Sequence, residues 1–149
     1  TNFTNTGEPL NSGIGFAISI NIVKRVVPQL ISDGKYDYPY IGVSSVDELS
    51  LADIEALGLK SYTGAYVVSV TPGGPADKAG LRAGRQQSSN ERLPAGGDLI
   101  VALDGQPVLR FEDLLRYLIN HKSPGETVTL TVMRGDQQLD LFVTLTKRP

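Results

Sequence analysis

The last part of the chain restricts the possible folds more than any other stretch. Val128, Leu130 and Val132 alternate with other side chains, as do Leu139, Leu141, Val143 and Leu145, on either side of Arg134-Gly135-Asp136. A period of two puts every second side chain on one face, so both segments read as strands with one buried face. The short glycine-bearing turn makes them antiparallel neighbours. Such a hairpin needs further elements to cover its apolar face.

The preceding hundred residues supply them. Strands are predicted over residues 40–46, 65–70 and 98–103, the second nearly all apolar and therefore expected to be buried on both faces. Ser50 caps a short helix over Leu51–Leu57, with Asp53 in the position that completes a capping box and Gly58 as the stop. Thr71-Pro72-Gly73-Gly74 is a turn. Residues 75–79 form one helical turn opened by Pro75 and stopped by Gly80. Asp104-Gly105 signals a tight hairpin, Phe111–His121 an amphipathic helix, and Ser123-Pro124-Gly125 its end. Residues 85–96, which include Gln86-Gln87-Ser88-Ser89-Asn90-Glu91-Arg92, have no apolar period and are expected to form an exposed, mobile loop. From residue 40 onward the prediction is an α+β fold. It is a partly open β-sandwich or half-barrel of five to six short strands with two full helices.

The N-terminal part reads differently. Residues 13–19 alternate glycine with apolar side chains, as a strand would. Asn21 then caps a helix whose apolar stripe is Val23, Val26, Val27, Leu30 and Ile31. Pro28 should kink it, and Asp33-Gly34 ends it. One strand and one helix are too little to bury a core. Residues 1–34 therefore read as the end of another domain, 35–39 as a linker, and 40–149 as the principal domain.

Composition removes several function classes. A net charge of −2 lacks the excess of Lys and Arg that marks a nucleic-acid footprint. No apolar run approaches the ~18 residues that span a bilayer. One histidine and no cysteine argue against a zinc site, and no cofactor loop is complete: Gly13-Ile14-Gly15 is followed by Ile18 where a dinucleotide loop needs a third glycine. Asn11-Ser12-Gly13 resembles a serine nucleophile turn, but the neighbouring glycines are missing. The one histidine, His121, closes a helix where a cation complements the dipole. The acidic pairs Asp47/Glu48 and Glu112/Asp113 sit by predicted helix N-termini, as dipole partners do. No catalytic residue is assigned.

One tetrapeptide does suggest chemistry. In Tyr40-Ile41-Gly42-Val43 the glycine lets the main chain approach a ligand closely, so successive N–H groups can face an anion between apolar side chains. That combination suits a peptide's C-terminal carboxylate.

Together with Ser69 to Ala76, Lys78-Ala79-Gly80-Leu81 and Gly97 to Gly105, this tetrapeptide resembles the PDZ domain of the HtrA/Deg serine protease family. The order S-P-A-x-x-A-G-L, then G-D-x-I, is specific. Gly74 stands here in place of its serine, and an insertion separates Gly84 from Gly97. Residues 12–21 and Val23-Lys24-Arg25-Val26-Val27 resemble the last strand and helix of the same family's trypsin-like domain.

The resemblance implies that a partner's C-terminus adds as a strand beside the edge strand 40–46 and the helix Phe111–His121. The N–H groups of Ile41, Gly42 and Val43 would hold its carboxylate. Tyr40, Ile41, Val43, Leu115 and Leu118 would enclose its last side chain. Phe111, Leu115 and Leu118, at i, i+4 and i+7, present one helical face, and Leu114 goes to the core. The parent would be a serine endopeptidase acting on unfolded proteins in the periplasm or cell envelope, assembled as trimers through its protease domains. The chain itself would bind peptides without cutting them. The alternative is a non-catalytic PDZ adaptor.

Overall fold

The computed structural model describes residues 18–46, 48–60, 63–89 and 93–149, and the chain divides into two compact units at Tyr36/Asp37. In the first unit, α1 spans Ile20–Asp33 with Pro28 inside it, and Gly34 (φ 70°) closes it through an N–H bond to the Leu30 carbonyl at 3.1 Å. The helix starts before Asn21: Ser19 occupies the cap position with non-helical backbone and makes no side-chain cap bond. None of its residues is buried, as expected of a helix without a core of its own. The strand predicted over residues 13–19 lies outside the described residues, apart from Ile18 and Ser19, which are not in a strand.

The second unit is built on the C-terminal hairpin. Strands β6 (Thr127–Arg134) and β7 (Gln137–Thr144) pair antiparallel, with Val128, Leu130 and Val132 opposite Val143, Leu141 and Leu139. The alternation thus lands on one face. Val128, Leu130, Val132 and Val143 are inaccessible to solvent or nearly so, and Leu139 and Leu141 are half-buried. The sheet continues through β4 (Leu99–Leu103) and β3 (Ala65–Val70) to an edge strand, β2 (Val43–Ser45), in the order β2-β3-β4-β6-β7. A short β5 (Gln106–Pro107) folds back on β4.

The predicted strand 40–46 is in fact two. Residues 39–40 form β1, which pairs with β8 (Thr146–Lys147), and Ile41-Gly42 breaks away before β2 begins. Gly42 sits at φ 81°, a left-handed conformation that no extended strand passes through. Strand β3 is buried only over Ala65, Tyr66 and Val67. Beyond them it carries the narrow edge strand β2, and Ser69 is exposed, its hydroxyl bonded to that of Ser44.

Three helices close the unit: α2 (Leu51–Leu57), α3 (Pro75–Lys78) and α4 (Phe111–His121). The Ser50–Asp53 capping box is present on α2. On α4 the Asp113 carboxylate accepts the backbone N–H groups of Leu109 and Arg110, and His121 in the last turn lies with its ring 4.9 Å from that of Tyr117.

The insertion departs from expectation. Its ends pair: Arg85 and Gln86 donate to the Ala95 carbonyl at 2.9 and 3.0 Å, and Ala95 donates back to Gln86 at 2.7 Å. Ser88 and Leu93 are buried. The buried Tyr66 hydroxyl donates to the Pro94 carbonyl at 2.6 Å and accepts the Gly97 N–H at 3.0 Å, so the stem is fixed to β3. Asn90, Glu91 and Arg92 lie outside the described residues.

Two carboxylates flank β4. Asp98, inaccessible to solvent, receives a two-pronged contact from Arg134 (Nε and Nη2, both 2.8 Å) and the Arg82 N–H at 2.8 Å. Arg134 also donates to the Gly80 carbonyl at 2.7 Å. At the other end Asp104, in a turn at φ 48°, accepts the Thr129 N–H (2.7 Å), the Tyr117 hydroxyl (3.2 Å) and Lys122 (2.8 Å). Burial alone would raise the Asp104 pKa. The hydrogen bonds from Lys122 and Thr129 and the Lys122 charge outweigh it and hold the carboxyl below its usual range. The hydrogen bond to Asp104 in turn raises Lys122.

Two outcomes follow for stability. Arg134→Ala strands a buried carboxylate and should cost about 3 kcal/mol. Arg116→Ala removes only a loose exposed pair with Asp113 and should cost no more than about 0.5 kcal/mol. Urea denaturation of both variants checks the contrast. Asp104 contributes stability above its unfolded pKa of about 3.9, and that contribution disappears as pH falls through its lower folded value. Lys122 contributes below about 10.4, and its contribution disappears as pH rises through its raised folded value. Asp104→Asn should flatten both limbs of a stability–pH curve; limbs that match those of the unsubstituted chain would contradict the pairing.

Candidate functional site: a groove beside the edge strand

The loop between β1 and β2 is held by its carbonyls. That of Ile41 accepts the Ala76 N–H of α3 at 3.0 Å, and that of Gly42 accepts the Thr71 N–H after β3 at 2.9 Å. Each peptide plane is trans, so its N–H points opposite to its C=O. The N–H of Gly42 therefore faces away from α3, and that of Val43 faces away from β3. The Val43 N–H is thereby directed to the side of β2 that has no partner strand among the described residues.

Gly42 is needed here for its φ more than for space. A Cβ at this position would lie 3.4–3.5 Å from the Tyr40 ring, Pro75 and Thr71, which is ordinary contact, but in a left-handed conformation. The Tyr40 hydroxyl bonds the Thr71 hydroxyl at 2.9 Å and so sets the ring beside the loop.

Opposite stands α4, oriented at its far end by the Tyr117 and Lys122 contacts to Asp104. Between them lies a groove of ≈ 380 Å³. Of the residues singled out in the sequence, Tyr40, Ile41, Val43, Phe111, Leu115 and Leu118 all line it. Gly42, the seventh, is not among the lining residues and has no side chain to place there. Leu118 is 2% exposed and belongs to the core as well, while Leu115 is 41% exposed and opens onto the groove. Leu114 is core, as the sequence predicts.

Four lining residues were not anticipated: Tyr38, Pro39, Ile119 and Arg148. Ile119 follows Leu115 by one helical turn and could have been found by spacing. Tyr38, Pro39 and Arg148 come together only because β1 pairs with β8, two-residue strands with no periodic signal.

Other concavities have a different character. One of ≈ 420 Å³ lies between the opposite side of α4 and the β4–β5 hairpin, and one of ≈ 670 Å³ between α3 and the stem of the insertion. Both have mixed polar linings, and neither contains the unpaired side of β2. Among the described residues no cluster of three or more His, Asp or Glu could hold a metal ion. No helix among them is long and apolar enough to cross a membrane.

Comparison with known proteins agrees with this architecture. A family model described as PDZ domain matches residues 39–145. The chain is 34% identical over 139 residues to Protease Do-like 1, chloroplastic, of Arabidopsis thaliana, covering 93% of this chain and 30% of that protein. It is 36% identical over 137 residues to a probable periplasmic serine endoprotease DegP-like of Brucella suis, covering 92% of this chain and 24% of that protein. It is 30% identical over 146 residues to the serine endoprotease DegS of Escherichia coli, covering 98% of this chain and 37% of that protein. The chain thus spans only a quarter to somewhat over a third of these relatives. Among solved structures, an HtrA-type protease AlgW with decapeptide superposes with a TM-score of 0.70 at 26% identity, over 99% of this chain and 40% of that one. The HtrA3 PDZ domain bound to a phage-derived ligand shares the fold, with a TM-score of 0.57 at 20% identity over 76% of this chain and 89% of that one. With its edge strand, its facing helix and this match, the chain belongs to the PDZ domain family.

Proposed function

We propose that the groove captures the C-terminus of an extended peptide, which adds as a further strand on β2. The observation that carries this reading is the direction of the Val43 N–H toward the unpaired side of β2, with the Gly42 N–H beside it turned away from α3. The Ile41 N–H, the third member of the proposed set, belongs to the same loop. Alternate side chains of an added strand lie about 6.6 Å apart on one face. Two helical residues four apart rise about 6 Å. Phe111 and Leu115 therefore match the spacing of alternate ligand side chains, and Leu118 and Ile41 floor the pocket for the terminal one. Two of the similar proteins were solved with peptide ligands, which supports the same use of this groove.

Burying one apolar side chain yields roughly 1.5–3 kcal/mol, and each charge-assisted hydrogen bond contributes about as much. Association and peptide ordering oppose this by several kcal/mol. A dissociation constant on the order of micromolar results. That is adequate for a module tethered to the site it supplies.

The relatives' names support a parent that is an HtrA-like serine endopeptidase of the periplasm or cell envelope. In it residues 1–34 would close the protease domain, residues 35–39 would link it, and residues 40–149 would deliver or sense unfolded substrates. Trimer-based assembly of the parent belongs to the same proposal. The triad would lie outside this chain, so the chain should not hydrolyse casein, and cleavage by the purified chain would contradict the assignment.

Peptide titration followed by fluorescence anisotropy tests the capture step. A free-acid peptide with an apolar last residue should bind at least about tenfold more tightly than its C-terminal amide. Leu115→Asp, at an exposed position, should abolish binding while the fold persists. Gly42→Ala should weaken binding and lower stability by about 1–2 kcal/mol through its left-handed backbone. Equal affinity for acid and amide would rule out carboxylate capture.

A further inference from the structure

Arg148 is the one charged side chain among the groove's described lining residues. Its backbone is fixed: its N–H donates to the Tyr38 carbonyl at 3.2 Å, extending the β1–β8 pairing. Its neighbour Lys147 is used elsewhere, in an ion pair with Asp37. Successive side chains on an extended segment alternate in direction, so the residue after Lys147 points the other way. Among the described residues the Arg148 guanidinium has no hydrogen bond or ion pair. Because β1 runs directly into Ile41, Arg148 stands at the same end of the groove as the Gly42 and Val43 N–H groups.

We propose that Arg148 is a second, ionic contact for the ligand's terminal carboxylate and adds to the groove's preference for a free acid. This inference rests on the capture reading above and extends it. Backbone N–H groups are neutral donors; they donate to the carbonyl of a C-terminal amide as well as to a carboxylate oxygen, though more strongly to the charged one. A full positive charge widens the difference, because its Coulombic attraction acts on the anion and not on the neutral amide. The guanidinium fork suits a carboxylate better than a lysine would. The rest of the lining is apolar or tyrosyl, so no acidic protein group there competes for the arginine.

A two-by-two cycle isolates the contact. The chain and its Arg148→Gln variant are each titrated with one peptide sequence lacking Asp and Glu, as free acid and as amide, at low and high salt. Arg148→Gln should weaken free-acid binding about threefold to tenfold and leave amide binding unchanged. It should also remove most of the salt dependence. Arg148→Lys should restore part of the loss. Unchanged melting of the Gln variant confirms that the effect is on binding. Equal losses for acid and amide, or no loss for either, overturn the role of Arg148 while the capture reading stands. Failure of the unsubstituted chain to distinguish acid from amide overturns the capture reading itself, and the arginine's role with it.

Discussion

The Asp98 carboxylate, removed from solvent, takes two bonds from Arg134 and one from the Arg82 backbone, while Arg134 also holds the Gly80 carbonyl. This contact joins the end of β6 to the segment that follows α3. From there the connection is short: α3 presents the Ala76 N–H to the Ile41 carbonyl, and that bond turns the next N–H outward. A buried ion pair adds little net stability over an apolar substitute. Its value here is positional, since it ties a four-residue helix to the sheet. Asp104 does the corresponding work for α4 through Tyr117 and Lys122. The two walls of the groove are therefore fixed by two carboxylates at opposite ends of one central strand, β4.

The division of labour follows from elementary constraints. The hairpin β6–β7 and strand β4 bury the apolar surface, and their alternation is strict because one face must be dry. A groove that takes a peptide as proposed cannot be made that way. It needs donors aimed outward, a glycine in a left-handed conformation and half-exposed apolar side chains, each of which lowers stability. These features sit at the edge of the sheet, where an unpaired strand is available to a ligand.

The same contrast explains what was legible in the sequence. Strands β3, β4, β6 and β7 and helices α2 and α4 announce themselves by period, capping residues and turns. The six side chains expected in the groove all line it because they belong to these elements or to the glycine-bearing tetrapeptide. The break at Ile41-Gly42 was not visible, because an apolar run with one glycine reads as a continuous strand. Arg148 was missed because its placement depends on the β1–β8 pairing, which is long-range and only two residues long. The stem of the insertion was hidden for a similar reason: its anchor is the Tyr66 hydroxyl, far from it in sequence, and no local pattern in a polar run records that bond.

Carboxylate capture would rest on particular backbone donors, and amide NMR of the uniformly labelled chain reports on them individually. Titration with a free-acid peptide should shift the Ile41, Gly42 and Val43 N–H resonances downfield as they take up a charged acceptor, and the matching amide should move them much less. Perturbations confined to residues outside this loop, or identical shifts from acid and amide, would contradict carboxylate capture at the edge of β2.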